Sequence, residues 1–170
     1  RLSEADVLET ENGKKSMFRI YRDVRFSKNK EPYKTSLSGR FRREGKLRRG
    51  GYYFHFSPAN NMIGGGFYGI EKDDLKRVRE ELAADGETLR GIMKAPNFVV
   101  QLGEMRGEKL KTAPKGFPKD HENIDLLRFK QFYAARDFSQ KEVTSAHFLD
   151  EAHATLLALR PFFDYFTDIL

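Results

Sequence analysis

The 170-residue chain contains no cysteine and no tryptophan. The absence of cysteine excludes a disulfide framework and thiolate metal ligands. No run approaches the roughly 18 apolar residues that a membrane-spanning helix needs, and no charged-then-apolar leader opens the chain. We therefore expect a soluble protein, with the cytoplasm as its default location.

The familiar catalytic signatures are also missing. There is no Gly-x-Ser-x-Gly elbow, no dinucleotide fingerprint and no His-Glu-x-x-His metal motif. Gly64-Gly-Gly66 lacks the following Lys-Ser/Thr and the strand-to-helix context of a phosphate loop, so it indicates a bulge or a close backbone approach within a strand. We expect no cofactor and no metal, and whether the protein is an enzyme stays open.

The chain has the size and the apolar content of one domain. Domains most often run about 100 to 150 residues. A hydrophobic fraction of 39%, with 15 Phe and 7 Tyr, supplies enough large side chains for a packed core. We predict a single domain over residues 1–170.

Acidic residues are scarce in one segment. Residues 14–49 carry 14 Lys and Arg against three acids, a net charge of +11, whereas the rest of the chain sums to −5. Such a concentration attracts phosphates or acidic partners. The alternative is a solvated sheet rim whose cations protect edges from aggregation.

An alternation of period two over residues 18–26 predicts a strand with cations on both faces. One face carries the apolar residues together with Arg22. The other face carries Arg19, Tyr21, Asp23 and Arg25. Because Arg22 lies on the apolar face, it should meet a carboxylate, a carbonyl cluster or a bound anion.

Further strands are predicted at residues 33–41, 52–56 and 62–68, and residues 129–136 could add another. A connection at residues 43–51 joins the second strand to the third. The strands that follow one another directly have short connections, which favour an antiparallel meander because parallel pairing needs long crossovers.

Apolar residues recur every three or four positions in the second half, which predicts helices. Their expected ranges are 72–84, 87–94, 96–102 and 145–170. Pro161 should kink or divide the last helix. We predict an α+β fold, an antiparallel meander packed by helices concentrated in the C-terminal half and ending in a long Pro-interrupted helix.

Two local signals indicate helix starts. Pro96 suits a first helical position because its fixed φ is compatible with a helix and its missing N–H is not needed there. Ser139-Gln-Lys-Glu142 has the spacing of a capping box, in which a hydroxyl and a carboxylate satisfy free amides.

Five sequence blocks carry a resemblance to a known family. They are Phe18-Arg-Ile-Tyr-Arg-Asp-Val-Arg-Phe26, Lys30-x-Pro-Tyr-Lys34, Gly51-Tyr-Tyr-x-His55, Lys109-Leu-Lys-x-x-Pro-Lys-Gly116 and Pro161-Phe-x-Asp164. In this order and spacing, over nearly the whole chain, they resemble the bacterial and fungal domain-of-unknown-function family twenty-four sixty-one. The resemblance implies no established activity. Family members usually carry an additional N-terminal helical region with a Trp-Phe motif, so we expect this domain to be truncated at its N-terminus.

The best functional hypothesis is a binding domain for a phosphate-bearing ligand or nucleic acid. Guanidinium forks match phosphate oxygens two at a time, and tyrosines stack on bases if they are exposed. The candidate tyrosines are Tyr21, Tyr33 and Tyr53. The candidate ligand-binding cations are Arg19, Arg22, Arg25, Lys30, Lys34, Lys111 and Lys130.

Two alternatives stay open beside this hypothesis. The first is an enzyme acting on a phosphorylated small molecule, with His121 or Asp23 as acid or base. The second is a structural network in which Asp23 and acids from the helices neutralise the arginines. The absence of a paired-carboxylate or metal signature favours binding. The sequence does not indicate an oligomeric state, and it gives no membrane signal.

Overall fold

The fold is built on one antiparallel sheet. A computed structural model describes residues 1–10, 12–45 and 49–170. Within these ranges the sheet has the order β1-β2-β3-β4. Its strands are β1 (Leu37–Arg42), β2 (Gly51–Phe56), β3 (Asn61–Phe67) and β4 (Phe132–Phe138). The first three correspond to the last three of the four strands in the predicted meander, and β4 pairs with β3 after a helical insertion. Part of the predicted connection between β1 and β2, residues 46–48, lies outside the described residues.

Helices are concentrated in the C-terminal half, as predicted. Two short helices precede the sheet, α1 (Leu2–Ala5) and α2 (Gly13–Ser16). The insertion between β3 and β4 contains α3 (Lys72–Ala84), α4 (Glu87–Lys94), α5 (Pro96–Leu102) and α6 (Ile124–Leu127). The chain after β4 forms α7 (Gln140–Val143), α8 (Phe148–Ala158) and α9 (Arg160–Ile169). No helix in the described ranges combines the length and the apolar content needed to cross a membrane.

The local start signals act as predicted. Pro96 occupies the first turn of α5. At α7, the Ser139 hydroxyl accepts a hydrogen bond from the Glu142 amide at 3.2 Å, and the Glu142 carboxylate accepts one from the Ser139 amide at 2.7 Å. Pro161 lies in the first turn of α9 and so divides the predicted C-terminal helix into α8 and α9. The first of these, α8, begins three residues later than the predicted helix.

The helices pack on one face of the sheet and form the core with it. Phe163 of α9 meets Tyr52 of β2 edge-on, with ring centroids 4.8 Å apart. Phe148 of α8 reaches both Phe56 and Phe138, at 5.6 and 5.5 Å. The opposite face carries no layer of helices in the described chain, so the sheet has one buried side and one open side.

Residues 18–26 differ from the prediction, because they form no regular strand. With the residues that follow, they make a hairpin that we call the arm (residues 17–36). The arm is held by scattered backbone bonds, such as Arg22 N–H to Pro32 O and Lys34 N–H to Ile20 O, both at 2.8 Å. None of its side chains belongs to the hydrophobic core. Apolar and polar residues can alternate in an extended segment whether or not one face packs against a core. The alternation alone therefore does not predict a regular strand.

Candidate ligand-binding surface

Two of the predicted arginines pair within the arm. Arg25 holds Asp23 with two hydrogen bonds, at 2.9 Å from Nε and 2.6 Å from Nη2. These hydrogen bonds, with the Arg25 amide and the charge of Arg19, lower the pKa of Asp23. Arg22 faces Glu31 at 3.7 Å, with 29% of its side chain exposed. Its guanidinium therefore meets a distant carboxylate rather than a bidentate partner or an enclosed anion cleft.

The other arm cations form no ion pair with a carboxylate of the described residues. Lys30 folds back across the loop and donates to Val24 O at 2.9 Å. In the described part of the chain, the side chains of Arg19, Lys28 and Lys34 make no hydrogen bond or ion pair. The arm thus has three cationic side chains that form no hydrogen bond or ion pair within the described chain.

Lys111 and Lys130 lie at the other side of the sheet. Residues 106–110 pair with the chain around β4, and Lys130 binds Glu108 at 2.5 Å. Lys111 is exposed in the loop that follows. Since four strands span about 14 Å from first to last, the structure does not bring these two lysines next to the arm.

The two candidate acid–base residues do not come together in a cavity. His121 lies in the turn before α6, where its Nδ1 accepts a hydrogen bond from the Asn123 amide at 3.0 Å. Asp23 lies on the exposed arm and is held by Arg25. Neither residue lines the main cavity of the described structure.

That cavity is a trough of about 820 Å³ on the open side of the sheet. Its floor consists of small residues that follow one another across the strands. The register puts Gly51 opposite Gly66 and Gly64 opposite Ala135. Because the glycines lack side chains and Ala135 has only a methyl group, space is left above them between the larger residues on either side of the floor.

Aromatic side chains form the two walls of the trough. On the β1 side, Phe18 at the base of the arm lies 6.3 Å from the ring of Tyr53, and the Arg40 guanidinium lies 5.8 Å from Phe18. On the β4 side, Tyr68 and Tyr133 lie 5.8 Å apart. Tyr68 is 68% exposed. Planar ligands stack favourably on such ring faces.

The glycines of β3 are required by close backbone approach, as the sequence predicted. Gly66 has φ +151°, and a Cβ there would lie 2.4 Å from the Tyr133 Cα. A Cβ on Gly64 would lie 2.5 Å from the Ala135 Cβ. The same glycines that let β3 and β4 pair also make the trough floor flat.

The two ends of the trough differ in charge. At the end near α3, Arg49 forms an ion pair with Asp74, and Glu71 lies beside them. At the arm end, Arg40 has no carboxylate within ion-pair distance among the described residues. The arm end of the trough therefore has an arginine without a described ion-pair partner, whereas the α3 end has a paired one.

A buried ionic network lies behind the trough, and the sequence reasoning missed it. Arg43, with no side-chain exposure, contacts Asp6 and Asp164, each at 2.8 Å. Tyr52 donates its hydroxyl to Asp6 at 2.6 Å, and burial, followed by the effect of Asp6, raises the pKa of Tyr52. Arg160 completes the network by binding both aspartates. It ties the N-terminal segment, β1, β2 and α9 together.

Comparison with known families agrees with the sequence blocks. The model of a family described as "Conserved hypothetical protein (DUF2461)" matches residues 1–165. The chain belongs to the DUF2461 family. No curated protein and no solved structure matches it.

Four of the five DUF2461 sequence blocks fall in the arm, the trough or the buried network. The first two blocks form most of the arm. The third supplies Gly51 and Tyr53 to the trough, and the last supplies Asp164 to the buried network. The Pro161-Phe-x-Asp164 block was the one sequence signal that could have indicated this network.

Proposed function

We propose that this domain binds a phosphate-bearing ligand with a planar aromatic ring, such as a nucleotide unit. The observation that carries the proposal is the aromatic trough, which is open beside cations that have no carboxylate partner in the described chain. The ring of the ligand stacks in the trough, and its phosphate lies toward Arg40 and the arm.

The dimensions of the trough support this function. Ligand pockets usually measure about 300 to 1,000 Å³ and are lined by apolar and aromatic groups with a few polar ones. The trough has about 820 Å³, aromatic walls and one exposed guanidinium at its arm end. The guanidinium of Arg40 offers paired donors that match phosphate oxygens.

Binding is favoured over catalysis by the surroundings of the candidate acid and base. Asp23 is held by Arg25, and Nδ1 of His121 is used in a turn. A general acid or base has to lie within hydrogen-bond reach of the reacting group. Neither residue lines the trough in which we expect the ligand to lie.

Calorimetric titration with ATP at low salt tests the proposal. We expect binding that weakens about 5-fold or more in Tyr53→Ala, because a base–aromatic stack is worth about 1–3 kcal/mol. Arg40→Ala should weaken ATP binding as well. Leu149→Ala, which removes an exposed apolar side chain from α8, is the matched control and should leave affinity unchanged.

The titration also has outcomes that reject the proposal. ATP binding that Tyr53→Ala and Arg40→Ala leave intact would exclude the trough as the site. Equal affinity for inorganic phosphate and ATP would show that the ring contributes nothing.

A further inference from the structure

We infer that the ligand is a single-stranded nucleic acid that runs from the trough onto the arm. The inference rests on the proposed function and narrows it from a nucleotide unit to a strand. It comes from aromatic groups that a mononucleotide in the trough does not reach.

The arm carries a third aromatic pair outside the trough. Tyr21 and Tyr33 face each other across the hairpin with ring centroids 5.5 Å apart. They are 56% and 55% exposed, and neither packs against the core. They form a cross-strand pair that supports the hairpin, but packing on the core does not account for their exposure, and exposed tyrosines on an arm can stack on bases.

The three aromatic pairs are spaced too widely for one nucleotide. Tyr133 and Tyr53 are separated by β3, so their strands lie about 10 Å apart. Tyr21 follows Phe18 by three residues, which adds up to about 10 Å along the arm. A stacked strand advances about 3.4 Å per nucleotide. The line of aromatic pairs thus corresponds to about six nucleotides.

Cations accompany this line. Arg40 lies at Phe18, and Arg19 and Lys34 are close in sequence to Tyr21 and Tyr33. Lys28 extends the positive surface toward the tip of the hairpin. A row of cations with no described carboxylate partners suits a phosphate backbone, which carries one charge per nucleotide.

The surface suits single strands of mixed sequence. Stacking on tyrosines requires unpaired bases, and a duplex keeps its base faces covered. Ring faces accept any base, since every base has a π-face. We therefore expect weak sequence preference and clear discrimination against duplexes.

An anionic membrane is the competing partner for the arm. Phe26 is 96% exposed at the hairpin tip beside Arg25, a pattern that also suits insertion among lipid headgroups. The two partners use different side chains. A nucleic acid needs Tyr21 and Tyr33, whereas a membrane needs Phe26.

Fluorescence anisotropy with labelled oligothymidylates of one to twelve nucleotides, at 50 mM salt, tests the inference. Affinity should rise with length to about six nucleotides and then level off. The double variant Tyr21→Ala/Tyr33→Ala should lose at least 5-fold in affinity for an eight-nucleotide strand while binding the mononucleotide as before. Phe26→Ala is the matched control and should bind the strand normally. Thermal melting checks that both variants stay folded.

Four other outcomes would each reject the inference, each for a different reason. Equal affinity for one and eight nucleotides would leave the proposed function standing and reject the strand. Duplex DNA binding as tightly as the single strand would reject the stacking account. Binding to phosphatidylserine vesicles that is lost in Phe26→Ala, without oligonucleotide binding, would assign the arm to membranes. Failure of every nucleotide and oligonucleotide to bind would reject the proposed function together with the inference.

Discussion

Two neighbouring arginines, Arg42 and Arg43, should contribute differently to stability because one is half exposed and the other is buried. The side chain of Arg43 is fully buried and lies against Asp6, whose side chain is 1% exposed. Its neighbour Arg42 is half exposed and faces Glu9 at 3.7 Å. Removing one partner of a buried pair leaves an uncompensated charge, whereas an exposed pair is largely screened by water.

Arg43→Met should therefore destabilise the fold by about 3–5 kcal/mol. Methionine keeps much of the volume of the side chain, so the loss reports the charge and its hydrogen bonds more than a cavity. The matched control, Arg42→Met, should change the free energy of unfolding by less than about 1 kcal/mol. Urea unfolding measures both values, and similar small losses in the two variants would mean that the buried network does not stabilise the fold.

The sequence could not reveal this network because its members are far apart along the chain. Arg43 and Asp164 are separated by 121 positions, and only the folded sheet and α9 bring them together. The sequence drew attention to Arg22 instead, because it lies among apolar residues. Arg22 turned out to lie on a hairpin with little to bury against.

At the scale of elements, helices were predicted better than the extended segments. The bounds of α3, α4 and α5 match the predicted ranges because their apolar period and their end signals are local. The strand predicted at residues 18–26 is wrong, since whether an extended segment joins a sheet depends on a neighbour elsewhere in the chain. The trough could not be predicted either. Its floor depends on the register that aligns Gly64 with Ala135 and Gly66 with Tyr133.

At the scale of elements, the arm should contribute to strand binding but not to the stability of the fold. Replacing residues 20–34 by a short Gly-Ser linker should leave the melting temperature nearly unchanged, because no arm side chain packs in the core. The same replacement should weaken binding of an eight-nucleotide strand by at least 10-fold, since it removes one aromatic pair and several cations.

Differential scanning calorimetry and anisotropy measure these two quantities on the same sample. A linker of equal length that carries the arm's lysines and arginines, but no tyrosine, serves as the control for charge alone. A large fall in melting temperature would show that the arm supports the fold. Full affinity without the arm would confine binding to the trough.

At the scale of the whole molecule, the two faces of the sheet differ in what covers them. One face packs against the helices and forms the core with rings such as Phe163 and Phe148. The other face carries the trough, and the basic segment extends it through the arm. The arm holds six of the 14 Lys and Arg that make residues 14–49 strongly basic.

The salt dependence of oligonucleotide binding tests the central claim most directly. Each phosphate contact on a single strand contributes about −0.7 to the slope of log affinity against log salt, so four or five contacts give a slope of about −3. We predict that affinity for an eight-nucleotide strand falls roughly 60-fold between 50 and 200 mM salt. Affinity that stays constant over this range, or no detectable binding at 50 mM, would contradict the account.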